Sequence, residues 1–232
     1  MNLIEGDIHK VIKTLPSNKY DLLYTDPPFN SLTKAKWDNV LKWDELWDDI
    51  WRVLKPNGVV VLHSTQRFTI QLASSQIKHF KYKYIWKKNN STNFLVAKYQ
   101  PLRSCEDICI FYKKRGIYNP QMVGNEYYKK RNVKYGSENE YWGKCETEKN
   151  VVTSEGGHYG KFPDDLLEFK IDKSKKKDKN AGTRPTELID FILKTYSNEN
   201  SEVLDITCHD ARTGVRCLKL NRSYTGIDLN IV

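Results

Sequence analysis

"YDLLYTDPPFN", residues 20–30, joins an apolar run to two consecutive prolines behind an acid. The run Tyr20-Asp21-Leu22-Leu23-Tyr24 reads as a buried strand. Proline cannot continue a sheet ladder, and it holds the residue before it in extended geometry. The strand therefore ends at Asp26, and the chain leaving it is stiff. A rigid turn with a solvated acid would produce this pattern. So would a device that holds a carboxylate, a carbonyl and an aromatic ring around a substrate.

The flanking sequence places this strand in a regular rhythm. "NLIEG" (2–6) is a short strand, and "DIHKVIKTL" (7–15) has helical spacing with Asp7 as its N-cap. In "WDELWDDIWRVL" (43–54) apolar residues recur at intervals of three and four, an amphipathic helix that "KPNG" (55–58) stops. Its tryptophans read as a core stripe. "VVVLHS" (59–64) is a strand, "TQRFTIQLASSQIK" (65–78) a helix, and "YKYIWKK" (82–88) and "EDICIFYKK" (106–114) further strands. The rhythm returns with the helix "RPTELIDFILKTYS" (184–197), the strand "SEVLDIT" (201–207), the helix "ARTGVRCLKLN" (211–221) and the strand "SYTGIDLN" (223–230). The fold class expected is α/β, Rossmann-like, with a mostly parallel sheet covered by helices on both faces.

Residues 113–180 interrupt this pattern: they are basic and Tyr-rich, lack periodicity, and end in a lysine run that reads as a solvated segment. The whole chain of 232 residues carries a formal charge of +9. That balance suits a polyanionic partner, and mixed basic and aromatic residues suit phosphates and stacked bases. Five cysteines without a paired CxxC framework point to free thiols in a reducing compartment. Cys105 and Cys109 read as small semi-buried residues, and no metal is expected. No leader is read at the start, and no apolar run approaches the ~18 residues of a membrane span. A cytoplasmic protein is expected, with no membrane association.

The last fifty residues hold a strand-turn-helix-strand unit with Asp205 ending one strand and Asp228 the next. In nucleotide-binding α/β folds the crevice beyond the strand carboxyl ends takes the ligand, and an acid after the second strand can bind ribose. An acid in such a place can equally be a turn former.

Three segments carry a resemblance: "GDIHKVIKTLPSNKYDLLYTDPPFN", "IWKKNNSTNFLVAKYQPLRSCEDICIFYKK" and "VLDITCHDARTGVRCLKLNRSYTGIDLN". They resemble the β-class DNA adenine-N6 methyltransferases, phage-type or restriction-associated, which use S-adenosylmethionine (AdoMet) and carry a circularly permuted motif order. The likeness spans nearly all of the chain outside about residues 115–180. It implies a catalytic half in 1–112, a target-recognition insertion in 113–180 and an AdoMet-binding half in 181–232. An acid heading the DPPF tetrapeptide implies adenine N6, whereas serine there is more typical of cytosine N4.

The resemblance assigns catalysis to Asp26, Pro27, Pro28 and Phe29. An exocyclic amine is a poor nucleophile because its lone pair is delocalised into the ring. The Asp26 carboxylate and the Pro27 carbonyl, accepting its two N–H bonds, would localise that pair. Phe29 would stack on a base flipped out of the duplex. Cofactor contacts would come from Asp7, Ile8, Asp26, Thr183, Arg184, Asp205, Thr207, His209, Asp228 and Leu229, with Asp7 at the adenine of AdoMet and Asp228 at its ribose. Double-stranded DNA would meet Asn30, Lys34 and Lys36, then Asn89, Asn90 and Arg103, and, in the insertion, Lys129, Lys130, Arg131 and Lys134. A homodimer or a heteromeric partner is compatible with the resemblance.

One departure stands out. The turn after Asp205 should carry two glycines, and His209 and Ala211 replace them; glycine permits close backbone approach and unusual φ. Two expectations follow: a reshaped pocket that still binds AdoMet, or a catalytically impaired subunit that binds nucleic acid or a partner.

Overall fold

The computed structural model describes residues 1–29, 41–128, 158–171 and 184–230. Strand β1 (Asn2–Glu5) leads into α1 (Ile8–Thr14), whose N-cap Asp7 accepts a hydrogen bond from the His9 amide at 2.9 Å. Strand β2 (Tyr20–Thr25) carries the chain to the proline pair. Helix α2 (Trp43–Val53) is followed at once by β3 (Leu54–Ser64) and then by α3 (Gln66–Ser75). Strands β4 (Phe80–Thr92) and β5 (Arg103–Phe111) form an antiparallel pair. The chain continues through β6 (Val123–Tyr128), β7 (His158–Lys161) and β8 (Leu166–Glu168). It closes with α4 (Thr186–Tyr196), β9 (Glu202–Asp205), α5 (Arg212–Lys219) and β10 (Ser223–Asp228).

Eight of these strands form one sheet in the order β1-β10-β9-β2-β3-β5-β4-β8. Strands β1, β10, β9, β2 and β3 run parallel, β5 is antiparallel to both β3 and β4, and β8 is parallel to β4. The mostly parallel Rossmann-like sheet is therefore present. The late strands β9 and β10 are slotted between the early ones, with Asn2 opposite Thr225 and Leu22 opposite Val203.

Period-two alternation sends side chains to both faces. Leu23, Val60, Leu62, Leu204 and Ile227 meet the helices α1, α2 and α3 through Ile12, Trp47, Ile50 and Leu72. On the other face Leu22, Tyr24, Val59, Val61 and Val203 meet Leu188, Ile189 and Ile192 of α4 and Cys217 of α5. The tryptophan stripe of α2 is core, as its spacing predicts: Trp43 and Trp47 are buried, and Trp47 stacks on Trp51 at 5.7 Å. Among the described residues no helix is long and apolar enough to cross a membrane.

Two local expectations change. KPNG does not separate helix from strand. Lys55–Gly58 lie within β3, and the pairing jumps from Tyr20 opposite Leu54 to Leu22 opposite Val59. Pro56 lacks a donor for the ladder, so the extra residues arch away from β2. The aperiodic segment also contains structure. Residues Pro120–Pro163 form a separate compact unit holding the β6–β7 pair, whereas Asp164 onward belongs with the large sheet, where β8 pairs with β4. Within the small unit Tyr128 stacks on His158 at 5.8 Å.

Candidate functional site

The carboxyl ends of β2 and β9 lie side by side, and the chain diverges from them in opposite directions, to β3 on one side and to β10 on the other. In open α/β sheets this switch point is where ligands bind. Thr25, the last residue of β2, places its hydroxyl 2.6 Å from Asp205 Oδ1 and 2.6 Å from Thr207 Oγ1. Thr25 has one hydroxyl hydrogen, so donating to the carboxylate makes it an acceptor for Thr207. Thr207 alternatively donates to the backbone carbonyl of Asp26 at 3.2 Å. Asp205 also accepts from the Thr207 amide at 3.2 Å and the Tyr224 hydroxyl at 3.0 Å. Burial pushes its carboxyl up to about 6, against the pull of those donors.

The turn after Asp205 keeps the shape that glycine would permit, although it holds none there. His209 (φ 44°) and Ala211 (φ 51°) are both left-handed. This region costs a non-glycine residue roughly 1–2 kcal/mol, so surrounding contacts must hold the turn. They do: the His209 amide donates to Asp228 Oδ2 at 2.8 Å, Cys208 N–H to the Ile227 carbonyl at 3.0 Å, and Ala211 N–H to the Cys208 carbonyl at 2.7 Å. Asp210 is turned onto Arg212, ion-paired at 3.1 Å, so its charge is matched inside the turn itself. Asp228 stands opposite Glu5, and its carbonyl accepts from the Gly6 amide at 2.8 Å, which brings Asp7 and the start of α1 to the same edge. Asp7 and Leu229 are exposed, and Ile8 is buried.

Asp26 follows directly on the end of β2. Its side chain is 39% exposed, and Oδ1 receives a 2.6 Å hydrogen bond from Arg184 Nη2. The same nitrogen stands 2.9 Å from Glu106 Oε2, and Lys88 Nζ lies 2.8 Å from Glu106 Oε1. Water reaches one side of Asp26, but the protein behind it depletes solvent and pushes the carboxyl up to about 6. Arg184 pulls against that rise and Glu106 adds to it. The arrangement follows from alternation along strands: Leu22-Tyr24-Asp26, Tyr84-Trp86-Lys88 and Glu106-Ile108-Ile110 each continue an apolar face into one charged residue. Arg184, just before α4, closes over them with its guanidinium 5.4 Å from the Trp86 ring and 5.8 Å from that of Phe29. Pro27 is buried, Pro28 and Phe29 are half-buried, and Phe29 packs on Phe68 at 5.6 Å. Below them Tyr24 and the fully buried His63 share a 3.0 Å hydrogen bond, and burial with Arg184 nearby keeps His63 neutral.

The structure thus brings Asp26, Pro27, Pro28 and Phe29 next to Arg184, Asp205 and Thr207, with Asp7, Ile8, His209, Asp228 and Leu229 along the neighbouring edge. Asn89, Asn90 and Arg103 lie on the β4–β5 pair; Asn89 Oδ1 accepts from the Ile171 amide at 3.0 Å, and Arg103 donates to Gln66 at 2.9 Å. Thr183, Asn30, Lys34, Lys36, Lys129, Lys130, Arg131 and Lys134 lie outside the described residues. Cys109 is buried, with its thiol pushed up to about 11 by that burial. Among the described residues no three His, Cys, Asp or Glu side chains converge as a metal would require.

Glu106, Lys88, His63 and Tyr24 are the members of the site that sequence reasoning missed. The available signal was a charge on the apolar face of a strand, since Glu106 shares its face with Ile108 and Ile110.

Comparison with known proteins gives a consistent picture. A family model described as DNA methylase matches residues 20–231. The Type II methyltransferase M.HpaI of Haemophilus parainfluenzae is 25% identical over 98% of this chain and 70% of its own length. M2.LlaDCHI of Lactococcus lactis subsp. cremoris is 24% identical over 97% of this chain and 83% of its own. Among solved structures, the M1.HpyAVI–SAM complex superposes with a TM-score of 0.60 at 21% identity, covering 99% of this chain and 94% of that one. The cytosine-N4-specific PvuII DNA methyltransferase gives 0.67 at 14% identity over 98% and 81%.

Proposed function

The chain belongs to the DNA methylase family of AdoMet-dependent methyltransferases, and from that premise we propose that it methylates N6 of an adenine flipped out of double-stranded DNA. The observation that carries the reading is Asp26: a carboxylate open to the crevice, on a proline-stiffened exit from β2, tied by its own carbonyl to Thr207 of the cofactor turn.

The donor edge fits AdoMet. Asp228 accepts two amide hydrogens, from His209 at 2.8 Å and Asn230 at 3.3 Å, and a carboxylate's roughly four acceptor sites leave room for ribose hydroxyls. Asp7, exposed beside the buried Ile8, would face the adenine of AdoMet, and the turn from Asp205 through Thr207 and His209 would face its methionine end. The left-handed His209 and Ala211 favour the reshaped-pocket reading, because the backbone path needed for close approach is kept. When bound, AdoMet supplies a methyl group made electrophilic by its sulfonium.

The chain's own groups prepare the nucleophile. Asp26, ionised at neutral pH, accepts one amino N–H and the Pro27 carbonyl the other, so the nitrogen lone pair is localised towards the donor edge. The prolines fix these acceptors before the base arrives, which lowers the reorganisation needed. Phe29, braced by Phe68, would be the stacking wall for the flipped base. Asn30, Lys34, Lys36, Asn89, Asn90, Arg103, Lys129, Lys130, Arg131 and Lys134 would contact the duplex, and the formal charge of +9 supports a salt-sensitive complex. The setting would be cytoplasmic.

The test is transfer of labelled methyl from AdoMet to mixed-sequence duplex DNA, followed by nucleoside analysis. Label on N6-methyladenine that is lost in Asp26→Ala supports the proposal, and label on N4-methylcytosine would replace adenine with cytosine. Absence of AdoMet binding by calorimetry, together with salt-dependent DNA binding, would instead favour an impaired nucleic-acid-binding subunit.

A further inference from the structure

Asp26 meets the crevice already engaged. Its Oδ1 accepts from Arg184 Nη2 at 2.6 Å, so the guanidinium competes with any substrate amine for that acceptor. The same nitrogen has a second carboxylate within reach. Glu106 Oε2 stands 2.9 Å from Nη2, at ion-pair distance. Yet this oxygen is buried and accepts no hydrogen bond. A buried carboxylate oxygen without a donor is costly. Here it lies beside a donor that is aimed at its neighbour. The other oxygen, Oε1, is fixed by Lys88 at 2.8 Å, and Lys88 is itself buried, with a side chain 6% exposed.

We propose that Arg184 is a positioning residue that clamps Asp26 until substrate arrives, and that Glu106, braced by Lys88, receives the guanidinium when an amino group takes its place. The inference rests on the methyltransferase reading for the identity of that amine. The geometry limits the motion to a small rotation, since one nitrogen already lies between both acceptors. The four charges alternate, Asp26, Arg184, Glu106 and Lys88, so the transfer moves no net charge into or out of the site. After it, Asp26 Oδ1 is free to accept an N–H, and Glu106 Oε2 gains the donor it lacks. The aromatic rings of Phe29 and Trp86 hold the guanidinium plane over the pocket in both positions.

The other groups that face Asp26 do not substitute for this pair. On β2 and β3, Tyr24 and His63 are hydrogen-bonded to each other and held neutral by burial. At the end of β9, Asp205 is satisfied by Thr25, Thr207 and Tyr224. Asp205 and Asp26 are both raised to about 6, so the two must be told apart by site-resolved titration.

The experiment follows the Asp26 carboxyl carbon by NMR, assigned with Asp26→Asn, in the wild type and in Glu106→Gln, Arg184→Gln and Arg184→Lys, alongside pH–rate profiles. Removing Glu106 leaves Arg184 on Asp26, so the Asp26 titration should move down by at least about half a unit. Turnover should fall in the same variant while AdoMet affinity is unchanged. Removing Arg184 should move the titration up by a similar amount. Arg184→Lys should restore it, because one cationic nitrogen serves both acceptors. Opposite shifts show that both charges act on this carboxyl, and the fall in turnover of Glu106→Gln with AdoMet affinity unchanged separates a clamp that must release from a static ion pair. Should Glu106→Gln fail to fold, Glu106→Asp retains the charge, draws the acceptor back, and should shift the titration in the same downward sense. Titrations that stay put, or move the same way in both variants, would overturn the clamp. Opposite shifts with no methyl transfer by the wild type would overturn the methyltransferase reading and leave the clamp. Transfer whose acid limb ignores both variants would do the reverse.

Discussion

Thr25 and Asp205, 180 residues apart in sequence, share a hydrogen bond of 2.6 Å at the point where the two halves of the sheet meet. The contact joins the end of the strand that delivers the DPPF acid to the end of the strand that opens the cofactor turn. Thr207 lies 2.6 Å from the same Thr25 hydroxyl, and its hydrogen alternates between that hydroxyl and the Asp26 carbonyl at 3.2 Å. The proposed acceptor and donor sides are thus registered by two hydroxyls rather than by a long loop.

Thr25→Val removes the bridging hydroxyl while keeping the side-chain shape. Asp205 Oδ1 then loses a donor in a buried setting, at a cost of about 1–2 kcal/mol. Denaturant unfolding should show that loss, and calorimetry should show weaker AdoMet binding through the displaced turn. Wild-type values for both would mean the bridge does not register the two sides.

Asp26→Asn should reduce methyl transfer by at least about 10²-fold, the loss that follows removal of one preorganised electrostatic partner. AdoMet affinity should change far less than turnover. In the wild type the rate should fall as pH drops through about 6, where the Asp26 carboxyl takes up a proton and ceases to accept. A rate independent of pH between 5 and 8 would contradict this assignment, given the roughly neutral-range switch it requires.

Asp205 predicts a stability effect of the opposite sense from the usual acid. Burial pushes its folded carboxyl up to about 6, above the ordinary carboxylate value of 3.8, so folding favours the protonated form. The stabilising contribution is therefore complete at pH below the unfolded value and is lost as pH rises through about 6. Asp205→Asn, neutral at every pH, should be the more stable protein at pH 8, by up to about 3 kcal/mol. The advantage should vanish near pH 4 when melting temperatures are compared. A constant difference across that range would show that Asp205 carries no such shift.

The cofactor turn offers a substitution that should improve the protein. Ala211→Gly and His209→Gly restore residues suited to left-handed φ. The relieved strain, roughly 1–2 kcal/mol per position, is partly offset by the greater freedom of glycine in the unfolded chain. Melting temperature should be unchanged or slightly higher, and AdoMet affinity should rise most in His209→Gly, where an exposed imidazole leaves the crevice edge. Weaker binding in both variants would show that the imidazole contributes to the pocket.

Much of the scaffold was legible because its signals are local. Asp7 as an N-cap, the three-and-four spacing from Trp43 to Leu54 and the acids ending β9 and β10 depend on near neighbours, and all are seen. The strands β6, β7 and β8 escaped because their signals are weak. All six residues of β6 are exposed, so no alternation survives, and β8 has only three residues. The cluster of Asp26, Arg184, Glu106 and Lys88 escaped for another reason. Arg184 comes from a connection before α4, and the other three sit just past β2, on β4 and on β5, so only the fold brings the four charges together. Sequence alone placed Arg184 among cofactor contacts by its position in a motif; its ion pairs with Asp26 and Glu106 depend on the fold.

The pairing of β1 with β10 bears on how the protein is made. During synthesis Asn2–Glu5 emerge long before Ser223–Asp228, the strand against which they lie. Until β9 is made, β2 has an open edge and Thr25 has no Asp205 to meet. Such sequence-distant pairings fold slowly, because loop closure precedes their reward. The proline-stiffened acid at residue 26 is therefore translated early, yet it has a cofactor edge beside it only after residues 202–228 have been added and paired. A nascent or truncated chain lacking them would carry the DPPF residues without the neighbouring strand ends that make them a site.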